Sequence, residues 1–114
     1  MSQKRVIKAL MNLGLSQTEA QVYVHLAIKG PQKAGIIAEG LRMQEQMIFE
    51  SLQNLQSKGV VGSEIEHSPL FFALPLDKAL ELLMKGHREE TQNIEQNKYN
   101  ILSKWQTMIK DSTS

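Results

Sequence analysis

Gln44 and Gln46, two residues apart at the start of a predicted amphipathic helix, are the side chains here best suited to reading another molecule. A carboxamide carries a donor and an acceptor side by side, the pattern that matches adenine N6 and N7 in a major groove. Met47 and Glu50 share that polar face with Gln53, Asn54 and Ser57. Glu50 could accept from cytosine N4, and Asn54 could bond adenine or take a phosphate. Lys33, Arg42 and Lys58 are cations that would orient a phosphate backbone without specifying sequence, and Lys4, Arg5 and Lys8 could form a basic arm. His67 and Ser68 fall where a hairpin tip is expected; a tip histidine could enter a minor groove and titrates near neutral pH. Each has a plain alternative. A Gln-rich helix face is soluble, a lone surface cation is solvated, and Glu50 facing phosphates is a penalty unless something offsets it.

Other chemistry finds little to stand on. The chain has no cysteine, which removes disulfides, thiolate nucleophiles and cysteine-based zinc sites together. His25, His67 and His87 fall on three different predicted elements with no second ligand at i+4, so no metal is expected. There is no Ser-His-Asp order, paired carboxylate site, phosphate-cradling glycine loop or HExxH motif, and neither catalysis nor a cofactor is expected. The net charge is formally +1, with 41% hydrophobic and 22% charged residues. Phosphate neutralisation supplies most non-specific nucleic-acid affinity, so bulk charge alone does not argue for DNA. No apolar run approaches the ~18 residues of a membrane span, and the N-terminus lacks an apolar signal core; the chain reads as cytoplasmic and not membrane-bound.

The elements that must hold these residues follow from spacing. Val6, Leu10 and Leu13 stand at i, i+4 and i+7 and predict a helix over 3–13 that Gly14 ends. Ser16 and Glu19 form a capping box for a second helix running to about Lys29, with Ala20, Tyr23, Val24 and Ala27 as its buried stripe. Gly30-Pro31 stops it. A short helix over 34–40 offers Ile37 and Ala38, and Gly40-Leu41-Arg42-Met43 makes a tight turn. The next helix, 44–58, buries Ile48, Phe49, Leu52 and Leu55 and ends at Gly59. Strands over 60–67 and 70–74 form a hairpin, in which the adjacent Phe71 and Phe72 require one ring to face outward.

From Asp77 to Lys110 there is no proline and one glycine, which predicts a continuous helix ~50 Å long at 1.5 Å per residue. Leu80, Met84, His87, Thr91, Ile94, Lys98, Ile101, Trp105 and Met108 alternate spacings of three and four, a heptad seam whose simplest partner is the same helix of a second subunit. Residues 1–75 thus read as a winged helix-turn-helix domain, 76–110 as a dimerisation helix and 111–114 as a frayed tail. The fold class is mainly α (an α+β winged helix): a three-helix helix-turn-helix core, a two-stranded β-wing, an N-terminal helix and a long C-terminal coiled-coil helix.

The stretches Leu13-Gly14-Leu15-Ser16-Gln17-Thr18-Glu19-Ala20-Gln21-Val22-Tyr23, Gly30-Pro31, Ile37-Ala38-Glu39, Ile48-Phe49 with Leu52 and Leu55, Lys58-Gly59-Val60-Val61, and Pro69 with Phe72-Ala73-Leu74-Pro75 resemble the winged-helix domain of the archaeal TrmB family of transcriptional regulators. The resemblance covers about residues 10–85. It implies sequence-specific duplex DNA binding as a homodimer, with segment 44–58 in the major groove and the wing on the flanking backbone. The effector-binding domain of larger TrmB-like proteins has no counterpart in these residues, so sugar sensing is not carried over. Basic residues common around that helix and wing are replaced by Glu45, Glu50, Glu64 and Glu66. A winged helix that binds a basic protein partner through this acidic surface is therefore the alternative reading.

Overall fold

The computed structural model describes residues 2–64 and 68–113. Its elements are α1 (Gln3–Asn12), α2 (Gln17–Lys29), α3 (Ala34–Leu41), α4 (Glu45–Ser57), β1 (Val61–Glu64), β2 (Leu70–Ala73) and α5 (Leu76–Thr113). The chain divides into two units, Met1–Met84 and Lys85–Ser114.

In the first unit, α2 is the hub. Gly14, at φ +107°, ends α1 and turns the chain so that Leu15 enters the core. The Ser16 hydroxyl then accepts the Glu19 N–H at 3.1 Å while the Glu19 carboxylate accepts the Ser16 N–H at 3.0 Å, the expected capping box. Helix α2 packs against α1, α3, α4 and β2, and a helix enclosed on several sides buries more than one stripe. Val22 and Leu26 are therefore buried along with Ala20, Tyr23 and Val24, whereas Ala27, expected inside, is exposed.

Gly30 (φ +84°) releases the chain from α2. Gln32 then exchanges both backbone hydrogen bonds with Phe71, at 3.0 and 2.8 Å, pinning the start of α3 to β2. Gly40 belongs to α3 rather than to the turn after it; a Cβ there would stand 2.7 Å from the His25 ring. Arg42 instead takes the left-handed conformation, φ 55° and ψ 46°, that separates α3 from α4.

Helix α4 directs Ile48, Ser51, Leu52 and Leu55 inward. Phe49, expected in that stripe, is 41% exposed. With Ile48 and Leu52 facing the core, residue 49 is rotated about 100° toward the helix edge, where its ring meets Phe71 edge-on at 6.4 Å. The hairpin pairs Val61 with Ala73, Gly62 with Phe72, Ser63 with Phe71 and Glu64 with Leu70. Phe71 is buried, and Phe72 lies on the other face over Gly62, where a Cβ would come within 2.5 Å of the ring. Residues 65–67 of the expected first strand, His67 included, lie outside the described residues.

The start of α5 completes this core: Ala79 and Leu83 are buried, and Leu80 packs against them. In the second unit the helix continues to Thr113, beyond the expected end at Lys110. There Ile94, Tyr99, Ile101, Trp105 and Met108 are 56–77% exposed. No described helix is long and apolar enough to cross a membrane.

Candidate nucleic-acid interface

The two ends of α4 are held differently. At its N-terminus Gln44 is the cap residue, with extended backbone and a side chain that makes no capping bond. Gln44, Glu45, Gln46, Met47 and Glu50 are all exposed. The Gln46 amide donates to the Glu50 carboxylate one turn later, at 3.3 Å. A carboxamide has two N–H donors and a carbonyl acceptor, so this bond orients Gln46 and leaves a donor–acceptor pair for another molecule. Glu50 thus acts on its neighbour as well as on the surroundings.

The C-terminal end is fastened to the domain. Asn54 donates to the second oxygen of Glu19 at 2.9 Å, Gln56 donates to the Ser63 hydroxyl at 3.0 Å, and Lys58 donates to the Gly14 carbonyl at 3.2 Å. Ser57 bonds back to the Asn54 carbonyl at 2.7 Å. Glu19, only 8% exposed, divides its two oxygens between the cap of α2 and the flank of α4, an economical way to satisfy a buried carboxylate. Two of the site candidates, Asn54 and Lys58, therefore have internal partners, at the end of α4 remote from Gln44.

Lys33 and Ser68 are brought to the N-terminal end. With Ile36, Glu39, Glu45 and Phe49 they line a groove of about 350 Å³ between α3, α4 and β2. Arg42 is exposed in the α3–α4 turn, two residues before Gln44. The face thus combines two cations with Glu39, Glu45 and Glu50 and with the half-exposed Ile36, Met47 and Phe49. Spacing did not reveal the groove, the Phe49–Phe71 contact or the Glu19–Asn54 bond, because the partners are far apart in the chain.

Tyr23 anchors the frame behind this face. Its buried hydroxyl donates to the Leu74 carbonyl at 2.6 Å. Burial, and secondarily the Asp77 carboxylate, push its pKa above the ordinary value of 10.0. His25 bonds the Gln32 side chain at 2.8 Å, and among the described residues no group of three or more His, Cys, Asp or Glu could hold a metal. Of the predicted seam, Leu80 is drawn into its own domain's core, while Thr91, Ile94, Lys98, Ile101, Trp105 and Met108 are exposed.

The family model described as "Sugar-specific transcriptional regulator TrmB" matches residues 10–77, more than half of the chain. No curated protein matches it. Among solved structures, the fold is similar to TrmBL2, an archaeal chromatin protein, at 17% identity and a TM-score of 0.74 over 96% of this chain. That alignment spans only 42% of TrmBL2. A MarR-family regulator from Silicibacter pomeroyi aligns at 20% identity and a TM-score of 0.56, covering 96% of this chain and 80% of the other. The Zα domain of Carassius auratus PKZ, solved with Z-DNA, aligns at 24% identity and a TM-score of 0.50, covering 51% and 94%. The capping-box hub, the helix-turn-helix and the wing coincide with the matched residues, and the chain belongs to the TrmB family of DNA-binding transcriptional regulators.

Proposed function

We propose that the chain is a homodimeric, sequence-specific reader of duplex DNA, with the start of α4 in the major groove and the β1–β2 wing along the flanking backbone. One observation carries this reading: Gln46 is exposed and oriented by Glu50 at the end of α4 whose polar side chains, among the described residues, make no hydrogen bond to another element. Gln46, and Gln44 beside it, match adenine, and the Met47 side chain suits the thymine methyl. No Lys or Arg stands between Glu45 and Ser57, so the commonest partner of guanine is missing from the helix and A·T pairs should dominate its contacts. Lys33 and Arg42 serve as phosphate contacts, with Ser68 on the wing and His67 next to it in sequence; Asn54 and Lys58 act on DNA only through the geometry of α4. The exposed stripe of α5 from Thr91 to Met108 is the dimerisation surface. Half-sites then lie one helical turn, ~34–36 Å, or a multiple of it apart.

Selection of sheared genomic duplex on the purified protein near physiological salt, ~0.15 M, tests this. The expected product is an A·T-rich inverted repeat. Few phosphate contacts also predict a shallow dependence of affinity on salt, and a slope fitting roughly eight or more phosphates contradicts that part. The groove beside α4 favours a second reading, since apolar Ile36 and Phe49 flanked by Glu39 and Glu45 suit a basic, apolar protein segment. No enrichment over bulk DNA from folded protein selects that reading. Glu45→Ala separates the two: it weakens a basic partner but leaves or raises DNA affinity.

A further inference from the structure

Between Glu89 and Asn97 the helix carries three acids (Glu89, Glu90, Glu95) and no base; from Lys98 to Lys110 it carries three bases and no acid. The exposed stripe crosses both blocks, with Thr91, Lys98 and Trp105 at one heptad position and Ile94, Ile101 and Met108 at the other. We propose that a second copy of this helix covers the stripe in the antiparallel sense, centred between Tyr99 and Asn100. This rests on the homodimer reading above and adds its orientation and register.

A parallel, in-register pair sets each seam residue against itself. Lys98 would meet the partner's Lys98 inside the seam, and Trp105 the partner's Trp105. At the flanks, Glu90 would face Glu95 of the partner subunit, twice by symmetry, and e/g contacts of like charge oppose pairing. The antiparallel arrangement separates the Trp105 pair and the Glu90–Glu95 pairs, and it takes the two Lys98 side chains out of a shared layer into neighbouring ones, ~4.5 Å apart along the axis. Thr91 then layers with Met108, Ile94 with Trp105, and Lys98 with Ile101, so the apolar layers join a small side chain to a large one, the condition for filling space. The Lys98 stem lies along Ile101 of the partner subunit with its ammonium in water, and Glu90 comes level with Ile109 of the partner subunit, clear of the partner's Glu95. The same centring sets the described helix from Gly86 to Thr113 against its copy, a contact of ~42 Å.

The orientation is measurable because the chain contains no cysteine. Lys85→Cys, at an exposed position, gives one spin-label site per subunit in the full chain. Sedimentation equilibrium establishes the oligomeric state, and pulsed electron–electron resonance reads the distance between the two labels. A dimer with labels ~45 Å apart, set by the rise of 1.5 Å per residue, is the expected result. A dimer with labels closer than ~35 Å overturns the antiparallel register and leaves the homodimer reading intact. A monomer at concentrations well above those that bind DNA overturns both.

Discussion

The first two turns of α4 and its last turn are built from similar residues, yet they form different surfaces. Among the described residues, Gln44, Gln46 and Glu50 at one end make no side-chain hydrogen bond other than Gln46–Glu50, which lies within the helix. Asn54, Gln56 and Lys58 at the other reach Glu19, Ser63 and Gly14. A side-chain amide that bonds the protein's own groups supports the fold; one that does not is free to bond a base edge. The difference lies in what is packed beside each end: α2 and the hairpin flank the last turn, while the first turns border the groove with α3. On the DNA reading proposed above, fastening one end would give the other a rigid base, so that little ordering is needed on contact.

Substitutions at the two ends should separate these roles. Gln46→Ala should cost ~1–3 kcal/mol in affinity for the selected site, as loss of a bidentate base contact does, with thermal stability unchanged. Competition against a duplex altered at a single A·T pair checks it; equal weakening on all sequences would make Gln46 a backbone contact instead. Asn54→Ala should behave oppositely, costing about 1–2 kcal/mol of stability by stripping a partner from Glu19. Measured where both proteins are folded, its DNA affinity should match the parent's. Parental affinity lost with stability retained would move Asn54 to the reading surface.

Tyr23→Phe tests the frame, at about 1 kcal/mol for the lost bond to the Leu74 carbonyl. Because the folded-state pKa of Tyr23 is raised above 10.0, the folded protein keeps a proton that the unfolded chain releases. The stabilising contribution is complete below pH ~10 and is lost as pH rises through the folded-state pKa. Denaturant midpoints across alkaline pH should fall for the parent and fall less for the variant. Arg42→Gly should have the smallest effect and pull in two directions. Glycine accepts the left-handed conformation at φ 55°, so stability should rise by up to about 1 kcal/mol. Loss of one phosphate contact should lower the salt slope by about 0.9. An unchanged slope would place Arg42 away from the backbone.

Local chemistry determined a good deal of this protein. The capping box at Ser16 and Glu19, the stops at Gly14 and Gly30-Pro31, the inward Ile48, Leu52 and Leu55, the two strands flanking Ser68-Pro69 and the unbroken C-terminal helix all depend on neighbours within a few residues. Such signals survive in the sequence because cap, period and turn are short-range effects. The motif that Ser16 and Glu19 belong to also carried the family. Tertiary structure decided which of the described candidates have partners inside the domain. Asn54 finds Glu19 thirty-five residues away, Gln32 bridges to Phe71, and Phe49 leaves the core to meet that same ring. Leu80, in phase with the outer seam, is claimed by the core because the start of α5 lies against it. Periodicity states which side chains share a face; only the packing of distant segments states what that face meets.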